Sequence, residues 1–406
     1  MKILLSALAC EPGKGSEPEV GFQTMLAASS SHEVWVMTLT QSVPLIKRAI
    51  KGLDLAGRIH LEGISFGVED ERLNQLSPVG FHRRYDRWQR KASERALELD
   101  RRISFDLVHH VTLASYWTRA GVAVLDKPFV WGPVGGGVDP PWSLVPEMGA
   151  RGQLAGAARD LGRPIAARLP FVRRNQGKAR VAIVQNPDTA KRLQVEGHMK
   201  LLSNALAVDL PPPRSTQRST DILFVGRLIP WKAPMLALRT LRALEHPTAT
   251  LRFCGNGPEQ SRLERAARTW GLEDRVTFEG WLPRSRLLEL VGTAGVLIHP
   301  AVHEEAGLCI AEALTLGTPV VCLDYGGPAE VVSHWPPDAY VRVPPRAREE
   351  TARCMARAVD RFLTGPPPIP TAVVPARTSF KMEILSAYDL AVEDRDLPPT
   401  GLHQEP

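Results

Sequence analysis

The chain has 406 residues, 44% of them hydrophobic and 23% charged. That suffices for two to three domains of ~150 residues with a sizeable core, and it excludes a disordered chain. Thirty-five prolines and 32 glycines are dispersed without a collagen-like period, and no run approaches the ~20 apolar residues of a membrane-spanning helix. The formal net charge of +6 is unevenly placed: residues 1–210 carry 28 basic and 21 acidic side chains, the remainder 22 and 23.

The chain opens with Lys2 and a short apolar run ending at Cys10. One lysine and so short a core fit a buried first strand better than a secretory signal. The strand candidates that follow are Ile3–Ala9, His32–Leu39, Leu107–Val111, Pro128–Trp131 and Ala182–Gln185. A second series runs Ile222–Gly226, Thr250–Cys254, Arg275–Gly280, Gly295–His299, Pro319–Leu323 and Tyr340–Val343. Helical stretches lie between them at Val20–Ser29, Arg83–Arg102, Pro234–Glu245, Glu259–Thr269, Arg284–Leu290 and Leu308–Leu316. This alternation predicts parallel sheets flanked by helices. The series restarts after Pro211-Pro212-Pro213, a stiff linker signal. We therefore expect an α/β protein of two doubly wound, Rossmann-like domains, 1–210 and 215–375, facing a cleft. A C-terminal helix over 377–392 is expected to complete the first domain, and the end from Leu397 to fray.

Residues 151–180 hold eight basic side chains against the single acid Asp160. They read either as a solvated face or as a patch for an anionic partner such as a lipid surface. In Arg83–Lys91, Tyr85 and Trp88 are expected to pack inward. The five cysteines (Cys10, Cys254, Cys309, Cys322 and Cys354) lie far apart and show no CxxC. Neither a disulfide framework nor a zinc site is expected, and the compartment implied is the reducing cytoplasm.

The informative stretch is His299–Leu314, where an acid-bearing loop leaves an apolar strand and enters a helix near Gly307–Leu308. Glu304 falls in the loop and Glu312 in the helix, beside an N-terminus able to hold a phosphate. Upstream, Gly226-Arg227 and Lys232 follow another strand, where two cations can reach a diphosphate. Gly255-Asn256-Gly257-Pro258, Gly280-Trp281-Leu282-Pro283 and Gly326-Gly327-Pro328-Ala329-Glu330 fall at further strand ends. In an open α/β sheet these ends are where a ligand sits.

Together, G-R-x(4)-K at Gly226–Lys232, G-x-G-P at Gly255–Pro258, E-x(7)-E at Glu304–Glu312 and G-G-x-x-E at Gly326–Glu330 resemble retaining, GT-B fold glycosyltransferases of the GT4 type, the glycosyl transferases group 1. The match runs over residues 220–335 in the expected order. Ala9–Glu17 and Trp131–Gly137 look like a bacterial branch of the same family. The resemblance implies a donor UDP- or GDP-sugar and a hydroxyl acceptor, possibly lipid-linked or anionic, with no cofactor, metal or nucleic-acid partner. It implies that Arg227, Lys232 and the backbone of Gly307, Leu308 and Cys309 hold the diphosphate. Glu312 would bind ribose and Glu304 the donor sugar. It further implies that His109 or His110 lines the site, and that the glycine loop Gly13-Lys14-Gly15 faces the phosphates and acceptor. Glu305 is expected to face solvent, and Cys309 and Cys322 to be core residues.

Three rivals remain. An epimerase or phosphorylase would keep the fold. An inactive scaffold would have no need of Arg227, Lys232, Glu304 and Glu312 together. A nicotinamide-dependent oxidoreductase wants G-x-G-x-x-G, which neither Gly13-Lys14-Gly15 nor Gly255-Asn256-Gly257 completes.

Overall fold

The structure is a computed structural model, and it describes residues 1–65, 78–207, 210, 218–365 and 376–393. The triproline and the end from Leu397 lie outside these residues. The chain divides into two compact units. One holds 1–137, 162–207 and the C-terminal segment from 377; the other holds 138–161 and 208–376.

The first unit is built on seven parallel strands: β1 (Lys2–Ser6), β2 (Glu33–Leu39), β3 (Ile59–Ile64), β4 (Leu107–His110), β5 (Phe129–Val134), β6 (Ala179–Val184) and β7 (His198–Leu201). Their order is β3-β2-β1-β4-β5-β6-β7. The strands β1, β4 and β5 are buried along nearly their whole length, as parallel strands covered on both faces must be. The unit's helices are α1 (Ser16–Ser29), α2 (Ser42–Ile50), α3 (Pro78–Ile103), α5 (Pro170–Lys178) and the single turn α6 (Pro187–Ala190), while α4 (Gly149–Ala167) begins in the second unit and enters the first at Gly162. In α3, Tyr85 and Trp88 are buried and join the apolar core with Leu4, Val108, Phe129 and Trp131.

The second unit has six parallel strands: β8 (Asp221–Val225), β9 (Thr250–Cys254), β10 (Val276–Gly280), β11 (Val296–His299), β12 (Val320–Leu323) and β13 (Tyr340–Val343). They are ordered β10-β9-β8-β11-β12-β13. Around them lie α7 (Pro234–Ala243), α8 (Gln260–Thr269), α9 (Arg284–Thr293), α10 (Leu308–Thr315), α11 (Gly326–Val332) and α12 (Arg348–Thr364). In both sheets the strand order reverses beside the first strand, so each unit has the switch point at which doubly wound sheets bind ligands.

Residues 138–161 belong to the second unit, although the sequence reading placed them in the first. Leu144 and Met148 are part of its apolar core. Glu305 accepts from the Val138 amide at 3.2 Å, and the Tyr325 hydroxyl donates to the Asp139 carbonyl. The final helix, α13 (Ala376–Glu393), returns to the first unit from Arg377 onward.

Candidate functional site

Three loops at the carboxyl ends of β8, β9 and β11 build the site in the second unit. The β8 and β9 loops run as a short ladder. Gly226 donates to the Cys254 carbonyl at 3.0 Å, Leu228 to that of Asn256 at 2.9 Å, and Glu259 to that of Leu228 at 3.0 Å. A Cβ on Gly257 would lie 2.2 Å from the Leu228 carbonyl oxygen, so that approach needs glycine. The β8 loop then makes a 3-10 turn, Pro230–Lys232. Its Trp231 carbonyl accepts from the amides of Val302 at 3.0 Å and His303 at 3.2 Å. Those two bonds set Lys232 against the loop after β11.

There the Lys232 ammonium pairs with Glu304. Both side chains are mostly buried, and burial, reinforced by the Arg227 charge, lowers the lysine pKa from its usual value. Arg227 itself is exposed. His299, the last residue of β11, was not expected from the sequence to take part. It is buried, with Nε2 3.4 Å from Glu304 and Nδ1 3.4 Å from the Cys309 sulfur. Burial, with the Lys232 charge beside it, holds His299 well below the ordinary imidazole pKa, so the ring is neutral. The same burial pushes the Cys309 thiol up to about 12; it is a protonated neighbour and no nucleophile.

Gly307 starts α10 in a left-handed conformation, φ +90°, and no side chain caps the helix. The first-turn amides of Leu308 and Cys309 therefore have no acceptor within the helix, and the dipole there favours an anion. Glu312, one turn on and buried, accepts from Arg284 of α9 at 2.7 Å. The Glu304 carbonyl accepts from Gly327 of α11 at 3.1 Å. Glu305, expected to face solvent, instead holds Val138, as described above. Trp281 is largely exposed, whereas Trp231 packs on the core. The expected donor residues of the second unit, Arg227, Lys232, Glu304, Gly307, Leu308, Cys309 and Glu312, thus come together around the β8/β11 switch point.

In the first unit the loop Gly13-Lys14-Gly15 precedes α1. Gly13 donates to Glu19 at 2.7 Å, and the exposed Lys14 pairs with Glu11 at 2.8 Å. The two histidines of β4 are internal, neither having exposed surface. His109 bonds the Gly132 carbonyl at 2.7 Å and the Tyr388 hydroxyl at 2.8 Å. His110 bonds the Tyr85 hydroxyl at 3.0 Å and Ser6 at 3.3 Å. With every ring nitrogen engaged within the unit, neither imidazole is left free to take a ligand. This replaces the expectation that one of them lines the donor site: the adjacent-histidine spelling reflects packing on both faces of a buried strand.

Among the described residues no group of three or more His, Cys, Asp or Glu side chains could hold a metal, and no helix is long and apolar enough to cross a membrane.

Residues 211–367 match the family model for glycosyl transferases group 1. The chain is similar in fold to sucrose-phosphate synthase from Thermosynechococcus elongatus, with a TM-score of 0.57 at 18% identity, covering 97% of this chain and 96% of that one. The fold is GT-B. The structure of HepE from Anabaena, in complex with UDP and glucose, matches with a TM-score of 0.55 at 18% identity, over 96% of this chain and 99% of that one. A 2-deoxystreptamine glucosyltransferase from Streptomyces kanamyceticus is 32% identical over 148 residues, 36% of this chain. That segment spans 37% of the relative's own length.

Proposed function

We propose that this GT-B chain is a retaining glycosyltransferase that moves a sugar from a UDP- or GDP-sugar to a hydroxyl acceptor, in glycan, glycolipid or natural-product biosynthesis. The observation that carries the reading is the Lys232–Glu304 pair beside the uncapped start of α10. The family match covers these residues, and one similar fold was solved with UDP and glucose.

Cleaving a sugar nucleotide builds negative charge on the departing diphosphate. Arg227, Lys232 and the amides at Gly307–Cys309 are the groups that would neutralise it, without a metal. When the diphosphate takes up the Lys232 ammonium, Glu304 loses its partner and is free to meet positive charge developing at the anomeric carbon. His299, neutral with Nε2 3.4 Å from the carboxylate, would line this position without competing for that charge. Glu312, fixed by Arg284, would take the ribose hydroxyls. We infer same-face attack through an oxocarbenium-like state, so that the anomeric configuration is kept without a second carboxylate. The acceptor in this reading is a hydroxyl compound, with lipid-linked and anionic acceptors among the candidates, and the protein works in the cytoplasm.

The test is to incubate the protein with a panel of UDP- and GDP-sugars and measure nucleoside diphosphate release. Proton NMR of the product at the anomeric position then reads the stereochemistry. Release with retained configuration supports the reading, and an inverted product refutes the retaining step. No release with any donor across an acceptor panel returns the chain to the inactive-scaffold alternative.

A further inference from the structure

The helix α4 is inside out. At ~100° per residue, Gly152, Gly156, Arg159 and Arg163 share one face. That face is the covered one: a Cβ on Gly152 would meet Met148 and Pro230 at under 3 Å, and Arg163 is 3% exposed with its guanidinium over the Trp117 ring. The opposite face carries Leu154, Ala158, Leu161 and Ile165. Leu154 is 75% exposed, Leu161 73% and Ile165 62%. Of the outward-facing residues from Gln153 to Ile165, Gln153 and Asp160 alone carry polar side chains. A helix that covers arginine and presents three large aliphatic side chains is unfavourable in water, because each exposed aliphatic side chain forgoes the free energy of burial. An exposed apolar stripe of this kind marks a contact surface.

The charge around the stripe identifies what it contacts. Arg168, Arg173 and Arg174 follow at once and are exposed, as is Leu169 between them, and Asp160 is the single acid of residues 151–180. Arg174 also lines, with Arg90, Arg119 and Glu94, a cavity of about 300 Å³. An apolar stripe bordered by arginines is the pattern of a helix lying in the surface of an anionic bilayer. A second copy of the chain would bring the same cations against one another.

We propose that α4 is a membrane-docking helix, its Leu154–Leu161–Ile165 stripe entering the acyl boundary while Arg168, Arg173 and Arg174 engage acidic headgroups. The inference is independent of the transferase reading, since it rests on one helix and its flanking charges, and its test uses no donor or acceptor.

The test is co-sedimentation of the full chain with phosphatidylcholine vesicles, with or without about 30% phosphatidylglycerol, at about 0.1 M and 0.5 M salt. The intact protein is expected to bind the acidic vesicles at least about tenfold more tightly than the neutral ones, and to lose most of that preference at high salt. The triple variant L154S/L161S/I165S is expected to lose at least about tenfold in affinity, with an unchanged melting temperature because the positions are exposed. A second variant, R168Q/R173Q/R174Q, is expected to remove the preference for acidic lipid. The proposal is overturned if acidic vesicles bind no better than neutral ones, or if both variants bind as the intact protein does. It is equally overturned if light scattering shows a dimer that the serine variant converts to monomer.

Discussion

His109 and Tyr388 stand 279 residues apart in the sequence and share a 2.8 Å hydrogen bond inside the first unit. The Gly132 carbonyl can only accept, so the proton of His109 sits on Nε2, and Nδ1 accepts from the Tyr388 hydroxyl. One buried bond thus ties the C-terminal helix to the central strand β4, supplemented at the surface by Lys200 pairing with Glu383 at 2.8 Å.

Removing the hydroxyl with Tyr388→Phe leaves His109 Nδ1 buried without a donor. The expected cost is about 1–3 kcal/mol, read as a lower midpoint in urea unfolding. An unchanged midpoint would show that α13 is held by apolar packing alone.

The same histidines make stability depend on pH. Burial lowers the pKa of His109 to about 4 and of His110 to about 3. The unfolded chain takes up a proton near pH 6.5, whereas the folded one resists until the lowered value. Their contribution is therefore complete above about pH 6.5 and is lost as pH falls towards 4. Comparing urea midpoints of the wild type and His109→Asn from pH 7.5 to 5 checks this. The stability gap should narrow by up to about 1.4 kcal/mol per pH unit below 6.5, and a gap independent of pH would contradict the buried neutral state.

Lys232→Ala is expected to weaken nucleoside diphosphate binding by about ten- to a hundredfold, the worth of a charge-assisted bond. Glu304→Ala should leave that affinity within a few fold, or raise it by freeing the ammonium. It should nevertheless reduce turnover by about a hundredfold or more. Isothermal titration with the diphosphate and a turnover assay separate the two. Equal losses of binding in both variants would contradict the division of roles.

Glu312→Ala should cost about tenfold in diphosphate affinity, and that cost should vanish when the ribose hydroxyls are absent. Titrating wild type and variant with a nucleoside diphosphate and its 2′,3′-dideoxy analogue reads the difference. If the variant still prefers the ribose form as strongly as the wild type, Glu312 serves only to hold Arg284.

The second unit was legible because its strands are short, mainly apolar runs between turn residues: β9 and β13 have the bounds their sequences imply, and β8, β11 and β12 fall within a residue. The edge strands of the first sheet were not. β3 reads Ile-His-Leu-Glu-Gly-Ile and β7 His-Met-Lys-Leu, half polar because an edge is only half covered. The residues around α10 could be chosen from their spacing, but the Lys232–Glu304 pairing spans 72 residues and needs the Trp231 carbonyl bonds to set it. His299 gave one signal, a histidine closing an apolar strand next to the acid loop. The His109–Tyr388 bond gave none. Residues 138–161 misled because domain assignment followed chain order, whereas Leu144 and Met148 follow the core they fill. In α4 the periodicity is real, but which face is outward depends on small glycines reaching Met148 and Pro230.

The most direct test of the account is a thermal-shift titration of the full chain with UDP, GDP, ADP and NAD in EDTA. UDP or GDP is expected to raise the melting temperature without metal, by an amount that grows with concentration as single-site binding requires, and Lys232→Ala to remove most of the shift. Stabilisation by NAD alone, or by no nucleoside diphosphate at millimolar concentration, would contradict it.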